Sequence, residues 1–290
     1  MPSLKSLRTR IGSVKNTKKI TSTMKMVAAA KMRRATIACE QARPFADGIA
    51  ETVSSLSQNI NKAESSILLK GHTEIKTAKV LVFGSDKGLC GGFNAQLVKA
   101  TENHIETLNQ QGIKAEIITF GNKARDGLKE KFADQITKSY LDFSKKADFS
   151  ICKEIADELV AEFEADNLQQ IDVIYNKFIN VLTQEATVKQ LAPVVIEETE
   201  TTMSADVILE PSANYVLNVL LPRFIASNLH QSYLESFASE QACRMTAMEG
   251  STKNATDVIN KLSLEYNRQR QANITSELVE IISGAQALND

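Results

Sequence analysis

Two long stretches, one at each end of the chain, lack proline and space their apolar residues alternately by three and four. No proline or glycine occurs between Ser13 and Arg43. The spacing runs Leu4, Leu7, Ile11, Val14, Lys18, Thr21, Lys25, Ala28, Met32, Ala35, Cys39 and Ala42, a heptad frame held over about six repeats. A helix of that length spans roughly 60 Å, and Gly12 inside it costs only ~1 kcal/mol. After Pro222 there is no further proline, and Gly250 is the only glycine before Gly284. There the pattern is Leu234, Ala238, Gln241, Met245, Met248, Thr252, Ala255, Ile259, Leu262 and Tyr266. It then shifts register to Ile274, Leu278, Ile281, Ala285 and Leu288. This second helix would run roughly 100 Å, against a mean helix of ~11–12 residues.

Neither helix can hide its stripe alone. The first segment is basic, with Glu40 its only acid before Arg43, whereas the last carries Glu235, Glu240, Glu249, Asp257 and Glu265. The two ends are therefore expected to pair as an antiparallel coiled coil, a rod. Lys18, Thr21 and Lys25 fall on seam positions, and small alanines follow them. Polar seam residues weaken self-association, and small ones permit close approach of another surface.

Between the ends the period changes. Residues 79–84 (KVLVFG), 115–121 (AEIITFG), 171–178 (IDVIYNKF) and the shorter 136–141 read as β-branched strands. Residues 93–111, 123–132 and 147–165 read as helices. This alternation predicts βαβ units and a parallel or mixed sheet. Residues 176–182 and 184–188 suggest an antiparallel edge hairpin, residues 61–77 a connector, and residues 199–205 a polar loop. The expected class is α/β plus a long antiparallel coiled coil, with boundaries at residues 1–60, 61–208 and 209–290.

Composition supports this division. Five prolines and twelve glycines are too few for a sandwich or barrel rich in turns, and 43% hydrophobic residues supply a core. The net charge of −1 gives no overall field toward nucleic acid or membrane. The basic N-terminal segment has no aromatic residue before Phe45, so it lacks a stacking platform for single-stranded nucleic acid. No apolar run reaches the ~18–20 residues of a membrane span. Cys39, Cys90, Cys152 and Cys243 lie far apart in sequence and read as reduced thiols.

The most enzyme-like stretch is residues 84–94, GSDKGLCGGFN, placed after a strand and before a helix, where phosphate loops sit. Its spacing fits neither a P-loop nor G-x-G-x-x-G, because Lys87 precedes Gly88 and no Ser or Thr follows a Gly-Lys pair. A tight structural turn is the better reading. Cys90 lies in that loop near a helix start, which can lower a thiol pKa, but no His partner is evident. His72, His104 and His230 are scattered and have no metal spacing. The methionines Met24, Met26, Met32, Met203, Met245 and Met248 suit core packing, or surfaces that must adapt to several partners. No cofactor is expected.

Four blocks then carry a resemblance. Residues 11–34 (IGSVKNTKKITSTMKMVAAAKMRR), 85–94 (SDKGLCGGFN), 238–257 (ASEQACRMTAMEGSTKNATD) and 267–288 (NRQRQANITSELVEIISGAQAL) together resemble the gamma subunit family of the rotary, F-type ATP synthases. The resemblance implies a non-catalytic central stalk, present in one copy. Its paired terminal helices thread a head of alternating alpha and beta subunits. Its Rossmann-like domain meets the epsilon subunit (delta in mitochondria) and the membrane ring of c subunits. Hydrogen-ion transport would turn ring and shaft, driving ATP synthesis at the beta sites. It further implies contact of Met24, Lys18, Lys19, Arg270, Gln271 and Thr275 with loops of the beta subunits. Glu210 and residues 199–206 would lie toward the ring. The implied location is peripheral, on the cytoplasmic face of a bacterial inner membrane, or alternatively on the matrix side in mitochondria. Two rival classes remain: an enzyme with a ligand at residues 84–94, and an unrelated coiled-coil adaptor.

Overall fold

The structure is a computed structural model that describes residues 3–58, 66–145, 148–195 and 212–287. Residues 199–206, Met203 and Glu210 lie outside these. The chain forms two compact units, one of residues 1–28 with 245–290, the other of residues 29–244. Two long helices, α1 (Leu4–Gln58) and α6 (Ala213–Ala287), contribute to both. Between them come α2 (Ile67–Lys70), β1 (Thr77–Phe83), α3 (Phe93–Gln110), β2 (Lys114–Phe120), α4 (Asn122–Phe132), β3 (Ile136–Tyr140), α5 (Phe149–Glu164), β4 (Gln170–Phe178) and β5 (Gln184–Ala192).

The strands form one sheet in the order β3-β2-β1-β4-β5. The pairs β1–β2, β1–β4 and β2–β3 are parallel, and β4–β5 is antiparallel. All four expected strands are present. The expected hairpin is also there, but its first arm is β4 itself, ending at Phe178 instead of running to residue 182. Asn180 turns the chain earlier: its side-chain oxygen accepts from the backbone N–H of Leu182 and of Thr183, each at 2.9 Å.

β1 reads TAKVLVF with its last six residues buried, as expected of a strand covered on both faces. Ala78, Val80 and Val82 face a core completed by Leu97, Ile105 and Leu108 of α3 and Ala124 and Leu128 of α4. Leu81 and Phe83 face a second core with Ile155, Leu159 and Phe163 of α5. Ile49, Val53 and Leu56 of α1 and Leu217, Leu221, Ile225 and Leu229 of α6 belong to it too. On this face the aromatic rings of Phe83, Phe120, Phe143 and Tyr233 pack with centroids 4.5–6.2 Å apart.

Each long helix carries an internal proline, Pro44 in α1 and Pro222 in α6. An internal proline removes a helical hydrogen bond and costs ~3 kcal/mol. The apolar residues beyond each one compensate, because burying a single Leu or Ile is worth about 1.5–3 kcal/mol. Propensity yields to burial at both sites.

Candidate functional site: the helix pair and the crevice at the strand ends

In the first unit the heptad frame predicts burial. Leu7, Thr21 and Ala28 of α1 are buried, while Leu4, Ile11, Lys18 and Lys25, the alternate seam positions, are half-buried. On α6 the buried positions are Met248, Ala255 and Leu262. Thr21 Oγ1 lies 2.7 Å from Thr252 Oγ1, and Lys25 Nζ lies 2.6 Å from Glu249 Oε1. Moving four residues up α1 thus moves three residues down α6, which is antiparallel pairing.

The charge complementarity is narrower than expected. Among the described residues, Lys25–Glu249 is the ion pair that joins α1 to α6. Glu240 instead pairs with Arg244 of its own helix at 2.7 Å. Lys25 is partly exposed and Glu249 well exposed, so the pair contributes at most ~1 kcal/mol.

The expected register shift at the end of α6 does not continue the seam. Ile274, Leu278 and Ile281 are 48%, 53% and 68% exposed, and Val279 and Ile282 are exposed beside them. The reason is length. The Thr21–Thr252 register puts Leu4, where α1 begins, across from about residue 269, so later residues have no α1 turn opposite them. An exposed apolar cluster of this kind marks an interaction surface.

The six residues expected to meet a partner fall into two groups. Lys18 and Met24 are half-buried and Lys19 is exposed on α1. Arg270, Gln271 and Thr275 are exposed on α6, with the Thr275 hydroxyl donating to Gln271 O at 2.9 Å. The register puts Met24 across from about residue 249, so the groups stand about 30 Å apart along the pair at 1.5 Å per residue. They do not form a single patch.

In the second unit, the strand order reverses direction between β1 and β4. In open α/β sheets, ligands bind in the crevice outside the carboxyl ends of the strands at such a switch point. Here α6 enters that crevice. Ser236 Oγ donates to Phe83 O at 2.9 Å and Ser239 Oγ to Asn176 O at 2.8 Å. Arg244 donates through Nη2 to the carbonyls of Lys87 and Gly88 at 3.0 and 3.3 Å, while its Nη1 holds Glu240.

The loop after β1 turns its polar groups inward. Ser85 N donates to Asn94 Oδ1, Asn94 Nδ2 donates to Ser85 Oγ at 2.7 Å, and Ser85 Oγ donates to Lys87 O at 2.9 Å. The start of α3 uses its amides locally, Phe93 N to Cys90 O and Gln96 N to Gly92 O. This is the tight structural turn expected, with Leu89 at φ 64° and 65% exposed at its tip. Burial pushes the Cys90 thiol pKa up, with its Ser85 hydrogen bond and Arg244 opposing, which disfavours a nucleophilic thiolate. Cys243 is pushed up to about 11, first by burial and next by the charge of Cys90. Two cysteines remote in sequence are therefore within electrostatic reach of each other.

The histidines are in separate places. His72 meets Asp166 Oδ1 and Phe163 O, each at 2.8 Å. His104 meets Asp172 Oδ2 at 2.8 Å. His230 packs edge-on to Phe149, and burial lowers its pKa. Among the described residues, no three His, Cys, Asp or Glu side chains are arranged to hold a metal ion. No helix there is long and apolar enough to cross a membrane.

The class these features define is an α/β sheet carrying two long terminal helices that pair with each other. The family described as ATP synthase matches residues 3–288. The ATP synthase gamma chain of Paracoccus denitrificans (strain Pd 1222) is 44% identical over 291 residues, covering 99% of this chain and all of that one. The gamma chain of Fuscovulum blasticum is 43% identical with the same coverage. A chain of the Euglena gracilis mitochondrial ATP synthase, in a structure of OSCP, F1 and c-ring, superposes with a TM-score of 0.69 at 20% identity. The match covers 98% of this chain and 94% of that one, and shows the shared fold. A chain from the central stalk and c-ring of the Tetrahymena thermophila enzyme matches at 27% identity and a TM-score of 0.59, over 80% of this chain and 98% of that one. The chain belongs to the gamma-chain family of the F-type ATP synthases.

Proposed function

We propose that this chain is the rotor shaft of an ATP synthase, coupling rotation of a c-subunit ring to the catalytic cycle of beta subunits without itself carrying out chemistry. The observation that carries the reading is the apolar end of α6, where Ile274, Leu278, Val279, Ile281 and Ile282 project beyond the α1 partner. Leaving that surface in water is unfavourable by about 25 cal/mol per Å², and a surrounding ring of alpha and beta subunits would cover it. The polar, small-residue seam at Lys18, Thr21, Lys25 and Ala28 fits a rod completed by a bearing. The crevice filled by α6 supports a part without a nucleotide site of its own.

On this reading one copy serves each complex. Met24, Lys18 and Lys19 meet beta-subunit loops at one level, and Arg270, Gln271 and Thr275 meet them at another, deeper in the head. The α/β portion faces the epsilon subunit and the ring, and the complex holds the chain at the membrane peripherally, on the cytoplasmic side in a bacterium. Co-expression with the alpha and beta subunits of its own source, followed by gel filtration and an ATPase assay, tests this. One copy co-eluting with the hexamer, with activity dependent on it, is expected. Separate elution with indifferent activity would refute the shaft reading.

A further inference from the structure

The β1–β4 ladder ends where Val82 pairs with Ile174. Just beyond it the carbonyls of Phe83 and Asn176 take their donors from α6, the hydroxyls of Ser236 and Ser239. Both serines are buried, at 3% and 0% exposure. Three residues apart, they lie on the same side of the helix. A serine in the middle of a helix ordinarily faces solvent or bonds back to its own backbone. These two reach across to two different strands.

The apolar contacts of Leu217, Leu221, Ile225 and Leu229 hold α6 to the sheet, but apolar attraction is non-directional. It resists separation far better than rotation or sliding. A hydrogen bond weakens steeply as its angle departs from linearity. One bond to β1 and a second to β4, with buried carbonyls that have lost water, fix both the angle and the axial position of the helix.

We propose that Ser236 and Ser239 are positioning residues that lock α6 against turning and sliding on the sheet, so that torque applied to the α/β portion passes into the helix without slip. The proposal rests on the shaft reading above.

The test uses the whole ATP synthase in inside-out membrane vesicles, carrying the wild-type chain, Ser236→Ala/Ser239→Ala or Ser236→Thr/Ser239→Thr. ATP hydrolysis and vesicle acidification are measured together, with and without an uncoupler. With the alanine pair, hydrolysis in uncoupler should match wild type, while protons taken up per ATP fall about threefold as the two directional bonds are lost. Stimulation of hydrolysis by the uncoupler should shrink in parallel. The threonine pair keeps both hydroxyls and should restore the ratio. A purely structural role would reduce the amount of complex and leave protons per ATP unchanged. A wild-type ratio with the alanine pair overturns the proposal. Should that pair fail to assemble, each single alanine variant is measured in the same way, and a wild-type ratio in both overturns it equally. Failure of the wild-type chain to support any ATP-driven acidification would instead sink the shaft reading, and would be seen before any variant is examined.

Discussion

Thr21 of α1 and Thr252 of α6 meet oxygen to oxygen at 2.7 Å inside the helix pair, and each also has a carbonyl of its own helix within donating reach, Lys18 O at 3.1 Å and Met248 O at 2.7 Å. Two hydroxyl protons thus serve three contacts in a seam whose other buried residues are Leu7, Ala28, Met248, Ala255 and Leu262. Replacing either one by Val leaves the other with its own helix's carbonyl alone, and each single change should cost about 1 kcal/mol. Replacing both removes the unmatched polar group, so the double variant should be more stable than the sum of the singles predicts. Urea unfolding of the four chains checks this. Strict additivity would mean that the contact carries no energy.

Glu240 should give stability an unusual pH dependence. Burial pushes its carboxyl pKa up, and Arg244 only partly offsets this. The native state therefore keeps this proton at a higher pH than the unfolded chain does. Between the ordinary carboxylate range and the raised value, stability attributable to this group falls as pH rises, opposite to a carboxylate whose pKa is depressed. Glu240→Gln should flatten that part of the profile of urea midpoint against pH. An unchanged slope would assign it to other groups.

Gly121 sits at φ +88°, and a Cβ there would lie 2.7 Å from Gly84 O and 2.8 Å from Ser85 O. Both neighbours are backbone and cannot swing aside. Gly121→Ala should cost more than about 2 kcal/mol. Gly112, at φ +77° with nothing within 4 Å of the added atom, supplies the comparison. Gly112→Ala should cost only about 1 kcal/mol from backbone conformation. Equal losses in the two variants would show that crowding at Gly121 is relieved.

Arg270 and Gln271 are exposed on α6. Their joint replacement by Ala should leave the isolated chain's unfolding within about 0.5 kcal/mol of wild type, yet reduce ATP-driven proton pumping by the assembled complex. Normal assembly and normal pumping would remove both from the set of partner contacts.

Much of the fold follows from periodicity alone. The frame through Leu7, Thr21 and Ala28 picks out buried α1 positions even where the residue is a threonine, because position on the helix outweighs side-chain polarity. The strands were legible for a related reason: a run such as VLVF, residues 80–83, is apolar on both faces only when both faces are covered. Pro44 and Pro222 do not end their helices, since the local penalty is outweighed by apolar residues that each helix buries. The stripe at Ile274, Leu278 and Ile281 reads as seam but is surface, because its burial depends on where another helix begins. Ser236 and Ser239 left no signal, as a serine within a helix looks solvated until the carbonyls above it are placed. The electrostatic influence of Cys90 on Cys243 was hidden for the same reason, since it links segments far apart in the chain. The partner residues Met24 and Arg270 follow from family resemblance alone, since a half-buried Met and an exposed Arg on a helix carry no signal of their own.

The filling of the crevice by α6 can be considered as a binding equilibrium. A ligand that arrives from solution competes by concentration and leaves when that concentration drops. A segment of the same chain does neither, since its tether holds its effective concentration constant. A free nucleotide seeking the switch point between β1 and β4 would have to displace an occupant that is always present. The sheet is therefore expected to keep one conformation whether ATP around it is scarce or plentiful, and this insensitivity suits a component whose neighbours respond to ATP while it must not.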